Sequence, residues 1–397
     1  MRKYVLMAAA LFVASLNLRP AINSIAPLLE SIRNELGMSA STASLLTSIP
    51  VLCMGLFSPA AAALSRKWGI ERVLGWSLIM IGLGTILRFA AQNTIILLFT
   101  AFIAGIGIAA AGPLLSGFIK RHFPNRVPTM IAVYTVALTL GAALGSGLTA
   151  PLQSGFHSWR SALGIWAVIA FAAVPIWWIF VMRHAKGGES QPADGTTFKL
   201  PWANGKSWML TLSFGCMAML FYSFTAWLPQ IVQGMGYSKA YAATALTVFV
   251  VVQIPVSLVL PMLLKKVPSR RLWLIVEGSL ELIGLLLLAF SAAPWIAALF
   301  IGLGAGGLFP LNLLLPLDAT EHPHEAAAWS AMTQSVGYII GASGPLILGW
   351  IHDATNSFAY AVLSLVIINV VMMAVQFGAT ASKRAGKSVS LKPQGDH

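Results

Sequence analysis

The sequence predicts an all-α membrane protein with twelve transmembrane helices in two pseudo-symmetric six-helix halves. Hydrophobic residues make up 57% of the 397 residues and charged residues only 9%, whereas about 25% of the residues of a soluble domain are charged. Apolar runs follow one another between short loops, and each run is long enough to cross the roughly 30 Å hydrocarbon core of a bilayer. An internal repeat relates the first six runs to the last six.

Turn residues and charged residues separate the apolar runs. The runs extend over residues 4–29, 41–64, 73–91, 94–118, 128–152, 159–182, 207–232, 240–263, 271–291, 294–317, 327–350 and 357–380. The longest polar break follows the sixth run. We therefore predict an N-terminal six-helix half (1–182), a cytoplasmic linker (183–206), a C-terminal six-helix half (207–382) and a cytoplasmic tail (383–397).

Two pairs of short strings carry the internal repeat. Gly105-Ile106-Gly107 of the fourth run recurs as Gly302-Leu303-Gly304 of the tenth, and Gly37-Met38-Ser39 recurs as Gly236-Tyr237-Ser238. Weak repeats of this kind are typical of secondary transporters whose two halves move around a central site.

The distribution of basic residues predicts the orientation. Twenty of the 25 lysine and arginine residues lie in the N-terminus, the even-to-odd connections and the C-terminal tail. Because cytoplasmic loops carry an excess of these residues, we predict that both termini are cytoplasmic.

Arg19 is the most informative residue, since it places a charge deep inside the first apolar run. Its guanidinium stays charged at physiological pH, and intramembrane charges usually face a bundle interior or a water-filled cavity. We therefore predict that Arg19 binds an anion in a transport pathway. The alternative is a structural arginine neutralised by a carboxylate or by helix-end carbonyls.

The string Asn17-Leu18-Arg19-Pro20, followed by Pro27-Leu28-Leu29, resembles the first helix of the cyanate and 2-nitroimidazole porter branch of the major facilitator superfamily. The resemblance extends over nearly the whole chain and implies a twelve-helix transporter with a central cavity and alternating access. Further matching strings are Phe221-Tyr222, Trp227-Leu228-Pro229, Gln334-Ser335-Val336-Gly337-Tyr338 and Gly344-Pro345.

The resemblance also implies which helices line the cavity, and their polar and aromatic residues are candidates for substrate binding. A guanidinium flanked by amides and aromatic faces suits a small, flat, delocalised anion. Each of these residues taken alone is also compatible with ordinary packing. The predicted binding set is Arg19, Asn17, Asn23, Tyr222, Trp227, Asn312, Gln334 and Tyr338.

Proline and small residues within the runs predict bending points and close helix contacts. The predicted gating and packing set is Pro20, Gly141, Gly145, Gly341, Gly344 and Pro345. The loop after the second run departs from the superfamily pattern Gly-x-x-x-Asp-Arg-x-Gly-Arg-Arg. Arg66 stands where the pattern has Asp, so Glu71, beside Gly69 and Arg72, is the candidate to supply the missing carboxylate.

Glu277 and Glu281 are the only carboxylates embedded in an apolar run. Their i, i+4 spacing puts them on one helix face, which makes them candidates for proton coupling. A solvated or structural role is the alternative.

The sequence argues against an enzyme and against a metal or other cofactor. All seven histidines lie outside the apolar runs, and no phosphate-binding loop is present. The net charge of +13 is spread over short loops, which does not suit nucleic acid.

We therefore expect a monomeric, multi-pass secondary transporter in the inner membrane of a bacterium. Its substrate is a small organic or inorganic anion: cyanate-like, carboxylate-like or an acidic nitro-heterocycle. The alternatives are an exporter of neutral or cationic lipophilic compounds and a membrane sensor without transport.

Overall fold

The computed structural model describes residues 2–184, 200–320 and 323–381, which form helices and, within these ranges, no strands. The N-terminal half contains α1 (Arg2–Leu16), α2 (Pro20–Asn23), α3 (Leu29–Leu36), α4 (Ala40–Trp68), α5 (Ile70–Ile86), α6 (Thr94–His122), α7 (Val127–Phe156), α8 (Trp159–Gly164) and α9 (Ala167–Phe180). The C-terminal half contains α10 (Gly205–Gly234), α11 (Lys239–Val251), α12 (Gln253–Lys266), α13 (Arg270–Ala289), α14 (Pro294–Asp318), α15 (Pro323–Thr355) and α16 (Phe358–Ala379). Most of the predicted linker and tail lies outside the described residues, at 185–199 and 382–397.

Eleven helical stretches within the described ranges are long and apolar enough to cross a membrane. The remaining predicted span, 327–350, lies in the 33-residue helix α15. This helix carries Thr333, Gln334 and Ser335, and it packs lengthwise against α4 and α10. Its polar side chains therefore belong to a helix that faces protein on two sides.

The first predicted span is a broken helix. α1 ends at Leu16, and α2 begins at Pro20 with Arg19 as its N-cap residue. Proline has no backbone N–H and its ring crowds the carbonyl four residues earlier, so Pro20 interrupts the ladder at Leu16. The helix then resumes and continues to Leu36, beyond the predicted end at residue 29.

The repeated glycine–serine pair has the same structural role in both halves. Gly37 and Gly236 adopt positive φ values of 61° and 92°, a conformation that glycine tolerates without strain. Two residues later, Ser39 and Ser238 cap the next helix by accepting a hydrogen bond from the backbone N–H three residues on. The turn before α4 is thus repeated before α11.

Two hydrophobic clusters stabilise the bundle. One lies within the N-terminal half and runs from Met7 to Val181. The other joins both halves and includes Leu28 and Leu46 from the first and Phe214 and Leu348 from the second.

Candidate substrate-binding site

The break in the first span turns Arg19 toward α10. Its guanidinium carbon lies 5.4 Å from the centroid of the Phe221 ring, which is cation–π distance. Its charge also acts on the phenol groups of Tyr134, Tyr222 and Tyr338. These four aromatic residues, here called the aromatic cluster, come from α7, α10 and α15.

Ring packing and one hydrogen bond fix the aromatic cluster. The Tyr222 ring lies 5.2 Å from Phe221 and 6.4 Å from Tyr338, centroid to centroid. The Tyr338 ring also meets Phe214 edge-on at 5.1 Å. The Tyr222 hydroxyl donates to the Met54 sulfur of α4 at 3.7 Å, so residues from both halves meet beside Arg19.

Arg19 has no carboxylate partner among the described residues. The ion pairs in this part of the chain are Arg121 and His122 with Glu71, Arg160 with Glu35, and Arg270 with Asp318. Its side chain is only partly buried. The alternative of an arginine neutralised by a structural carboxylate therefore finds no support in this geometry.

Two amides of the same segment retain unused hydrogen-bonding capacity. Asn17 is 3% exposed and Asn23 is 0% exposed. The side-chain nitrogen of Asn17 and both polar atoms of Asn23 have no hydrogen-bond partner among the described residues. Buried polar groups are usually paired, so these amides have capacity for a ligand beside Arg19.

The hydrogen-bonding groups of two other predicted binding residues already have partners in the protein. Trp227 is fully buried, and its indole N–H donates to the Pro345 carbonyl at 3.0 Å. The Asn312 carbonyl oxygen accepts from the Ser213 hydroxyl at 2.5 Å, and its amide nitrogen donates to the Leu308 carbonyl at 2.9 Å. We therefore leave Trp227 and Asn312 out of the proposed site, whereas Gln334 stays a prediction.

Tyr134 and Phe221 were not among the predicted binding residues. Phe221 was part of the family resemblance, and Tyr134 is the only aromatic residue of α7 besides Phe156. An isolated tyrosine in an apolar helix is equally compatible with packing, so no specific signal in the sequence indicates Tyr134.

The predicted glycines pack against neighbouring helices. A Cβ added at Gly141 would collide with the Leu16 carbonyl, and one at Gly145 would lie 3.2 Å from Pro20. A Cβ at Gly341 or Gly344 would lie 2.7 Å or 2.6 Å from atoms of α10. Gly141 and Gly145 thus hold α7 against the broken helix, and the α15 glycines hold α15 against α10.

The two halves meet at the end of the bundle that the charge pattern assigns to the extracellular side. Both Asp353 carboxylate oxygens accept backbone N–H groups of Ala40 and Ser41, each at 2.7 Å. Asp353 lies beyond the predicted span 327–350. Burial alone would raise the pKa of this carboxyl, but the hydrogen bonds from Ser41 and Ala40 outweigh burial and lower the pKa below its usual range.

Lys239 and Gln230 make further contacts between the two halves near the Asp353 hydrogen bonds. The Lys239 ammonium donates to Ser31 at 2.8 Å and to Gln153 at 2.7 Å. The Gln230 side chain donates to the Ala26 carbonyl at 2.8 Å. We call the Asp353, Lys239 and Gln230 contacts the outer closure.

At the opposite end, Glu71 is engaged within its own half. Its carboxylate lies 2.8 Å from the His122 imidazole and 3.5 Å from Arg121, and its backbone carbonyl accepts from Trp177. Arg66 and Arg72 are exposed, and Gly69 precedes α5 with a φ of 88°. Glu71 thus anchors α5 to the end of α6, and its role as a substitute for the missing Asp stays a prediction.

Glu277 and Glu281 share one face of α13, and both are buried, at 5% and 1% exposure. They contact α14 and α16.

Comparisons with known proteins agree with this architecture. The model of the Major Facilitator Superfamily matches residues 6–345. The uncharacterized transporter YycB of Bacillus subtilis (strain 168) is 34% identical over 94% of this chain and 93% of its own length. Two proteins of Escherichia coli (strain K12), the 2-nitroimidazole transporter and the cyanate transport protein CynX, are 31% and 30% identical. They cover 93% and 94% of this chain and 94% and 97% of their own lengths.

A crystal structure of a mutant of the nucleoside transporter NupG has the same fold, with a TM-score of 0.78 over 94% of this chain and 99% of that chain, at 10% identity. The predicted resemblance and the twelve-helix fold class are confirmed. The family and these relatives are transporters and not enzymes, and they imply a small-molecule substrate. This chain is therefore a multi-pass membrane transporter that belongs to the Major Facilitator Superfamily.

Proposed function

We propose that this protein is a secondary active transporter of a small organic or inorganic anion, and that Arg19 is its central binding charge. The observation that carries the proposal is a partly accessible guanidinium without a carboxylate partner among the described residues, set beside the aromatic cluster at a helix break.

The chemistry of the surrounding groups favours a flat, delocalised anion. A planar guanidinium presents paired donors to such an anion, while the phenol groups of Tyr134 and Tyr338 are further donors. The unpartnered amide of Asn17 adds another donor at the helix break. Relatives named for cyanate and 2-nitroimidazole transport support this substrate class.

The contacts between the halves support alternating access. The outer closure joins the two halves at one end of the bundle. We infer that it closes the outer side and that an anion bound at Arg19 exchanges with the cytoplasm in this state. We further propose that both termini are cytoplasmic, that the protein functions as a monomer and that it resides in the plasma membrane of a bacterium.

Thermal-shift measurements on the purified protein test this proposal directly. Cyanate, nitrite, benzoate and 2-nitroimidazole are the probes, and wild type is compared with Arg19→Lys, which keeps the charge but loses the planar fork. A ligand present at 100 times its Kd stabilises the folded state by about 2.7 kcal/mol. We expect a stabilising anion whose effect is largely lost in Arg19→Lys.

The matched control is Arg160→Lys, because Arg160 pairs with Glu35 away from the aromatic cluster. This variant should keep the full ligand response. Equal stabilisation of wild type and Arg19→Lys by every active anion would refute the role of Arg19. Stabilisation by lipophilic cations instead would favour the exporter, and uptake of the anion into proteoliposomes would exclude a sensor without transport.

A further inference from the structure

A second polar site lies in the C-terminal half, where α13 packs against α14 and α16. Glu281 of α13 contacts Asn369 of α16, Glu277 lies one turn earlier on α13, and Gln376 lies two turns beyond Asn369 on α16. All four residues are at most 5% exposed. We call these four residues the carboxyl–amide cluster. It lies on helices other than those that carry the aromatic cluster.

The cluster is held by specific contacts. The Asn369 amide nitrogen donates to the Glu281 carboxyl at 3.1 Å, which directs the amide into the cluster and leaves its oxygen unpartnered. A Cβ added at Gly307 would collide with the Glu277 carboxyl group, and one at Gly304 would lie 2.8 Å from the Glu281 Cβ. Gly307 thus makes room for the Glu277 carboxyl group, and Gly304 lets α14 approach the α13 backbone at Glu277 and Glu281.

No cation neutralises these carboxyl groups within the described residues. The segment 358–379 of α16 carries no charged residue, and the only charged residue of α14 is Asp318, which pairs with Arg270. Arg271 of α13 instead lies over the Phe377 ring, with its guanidinium carbon 3.5 Å from the centroid. Two buried carboxylates one helical turn apart repel each other and lose hydration.

We propose that the carboxyl–amide cluster is a proton-binding site in which Glu277 and Glu281 take up and release a proton separately from the substrate. Proton uptake turns a carboxylate into a carboxylic acid, so its O–H becomes a donor. The unpartnered oxygen of Asn369, whose amide nitrogen already contacts Glu281, is an available acceptor. The helix α13 (Arg270–Ala289) is unbroken at both glutamates, so its backbone carbonyls at this level are engaged in the helix ladder.

A physical route connects this site to the transport pathway. Gly307 packs against the Glu277 carboxyl group and Gly304 against the α13 backbone at Glu277 and Glu281. The same helix presents Asn312 to Ser213 of α10. α10 also carries Phe221 and Tyr222 of the aromatic cluster. A change of charge at Glu277 therefore acts on a helix bonded to the one that lines the proposed site, and this coupling role rests on the proposed anion transport.

Infrared difference spectroscopy of the purified full-length protein tests the proton site without a substrate. Spectra are recorded between about pH 5 and about pH 9, the range in which buried glutamates titrate. We expect a carboxylic acid C=O band that is present at neutral pH and disappears as the pH rises. Glu277→Gln and Glu281→Gln should each remove part of the band, and the double variant all of it.

Two further variants make the result specific. Asn369→Leu should shift the frequency of the remaining band, because the hydrogen bond to Glu281 is lost, while Glu325→Gln, at an exposed α15 carboxylate, should leave the spectrum unchanged. A band that persists in a helical, monodisperse double variant would overturn the proposal, as would the absence of any titrating band in wild type. If NaCl stabilises the wild type more than choline chloride does, and Glu281→Gln abolishes this difference, the site binds Na⁺ and the proton proposal is wrong. None of these outcomes depends on Arg19 or on the transported anion.

Discussion

Replacing Asp353 by alanine should open the outer side of the transporter. The Asp353 carboxylate caps the first turn of α4 from the other half of the protein, through two hydrogen bonds of 2.7 Å. Loss of a helix-capping side chain costs about 0.5–2 kcal/mol. Because Asp353 is exposed and solvent screens surface charges, we take about 1 kcal/mol as the central value, which changes an equilibrium about 5-fold.

Distances between spin labels measure this change. Labels at Gln92 and Ser291, which are exposed and lie in outer connections of the two halves, are introduced after Cys53 and Cys216 have been replaced. We expect the population with a long inter-label distance to rise about 5-fold in Asp353→Ala.

Asp318→Asn is the matched control, because Asp318 pairs with Arg270 inside the C-terminal half. An Asp353→Ala distribution that coincides with those of wild type and Asp318→Asn would refute the reasoning.

The pH dependence gives a second check. The pKa of Asp353 is lowered, so its contribution is present above the usual carboxyl pKa and is lost only as the pH falls through the lowered value. The effect of Asp353→Ala on the distance distribution, measured as the difference from wild type at the same pH, should therefore stay constant between about pH 5 and about pH 8.

Three other substitutions have definite expected outcomes. Gly141→Ala places a methyl group against a carbonyl of the broken helix and should destabilise the protein by about 1–3 kcal/mol in thermal unfolding, whereas Gly112→Ala, with open space at the Cβ position, should not. Trp227→Phe leaves a buried carbonyl of α15 without its indole donor and should cost about 1–3 kcal/mol by the same assay, with ligand-induced shifts unchanged. Lys239→Met removes two hydrogen bonds between the halves and should also raise the long-distance population, measured with the same labels.

The length of the apolar runs and the low share of charged residues were enough to predict the fold class. Helix α15 shows why hydropathy alone underestimates one span: its polar residues are accommodated because α4 and α10 pack along it. The break of the first helix at Pro20 could be predicted, because proline lacks a backbone N–H. The continuation of that helix to Leu36 could not be predicted. The segment after Pro27 is polar enough to read as a loop, and the structure keeps it helical with Gly37 as its C-cap.

Asn17, Asn23, Tyr222 and Tyr338 entered the candidate site through the family resemblance, whereas Arg19 could be predicted from the residues alone. Arg19 could be found because a charge in an apolar run requires an explanation. Tyr134 could not, because an isolated tyrosine in a membrane helix is compatible with packing. The Asp353 contact joins residues 312 positions apart, to Ser41, and the Asn369–Glu281 bond joins residues 88 apart. Such contacts arise from helix packing and leave no local pattern in the sequence.

Helix α15 connects the proposed binding site to the outer closure. Tyr338 of the aromatic cluster and Asp353 lie on this one helix, and at 1.5 Å per residue they are about 22 Å apart. Pro345 lies between them inside the helix, where a proline weakens the backbone ladder and permits bending. An anion that draws Tyr338 toward Arg19 therefore acts on the same helix that Asp353 fastens to α4. Release of the Asp353 contact and movement of Tyr338 are thus two displacements of one bendable helix, as the proposed alternating access requires.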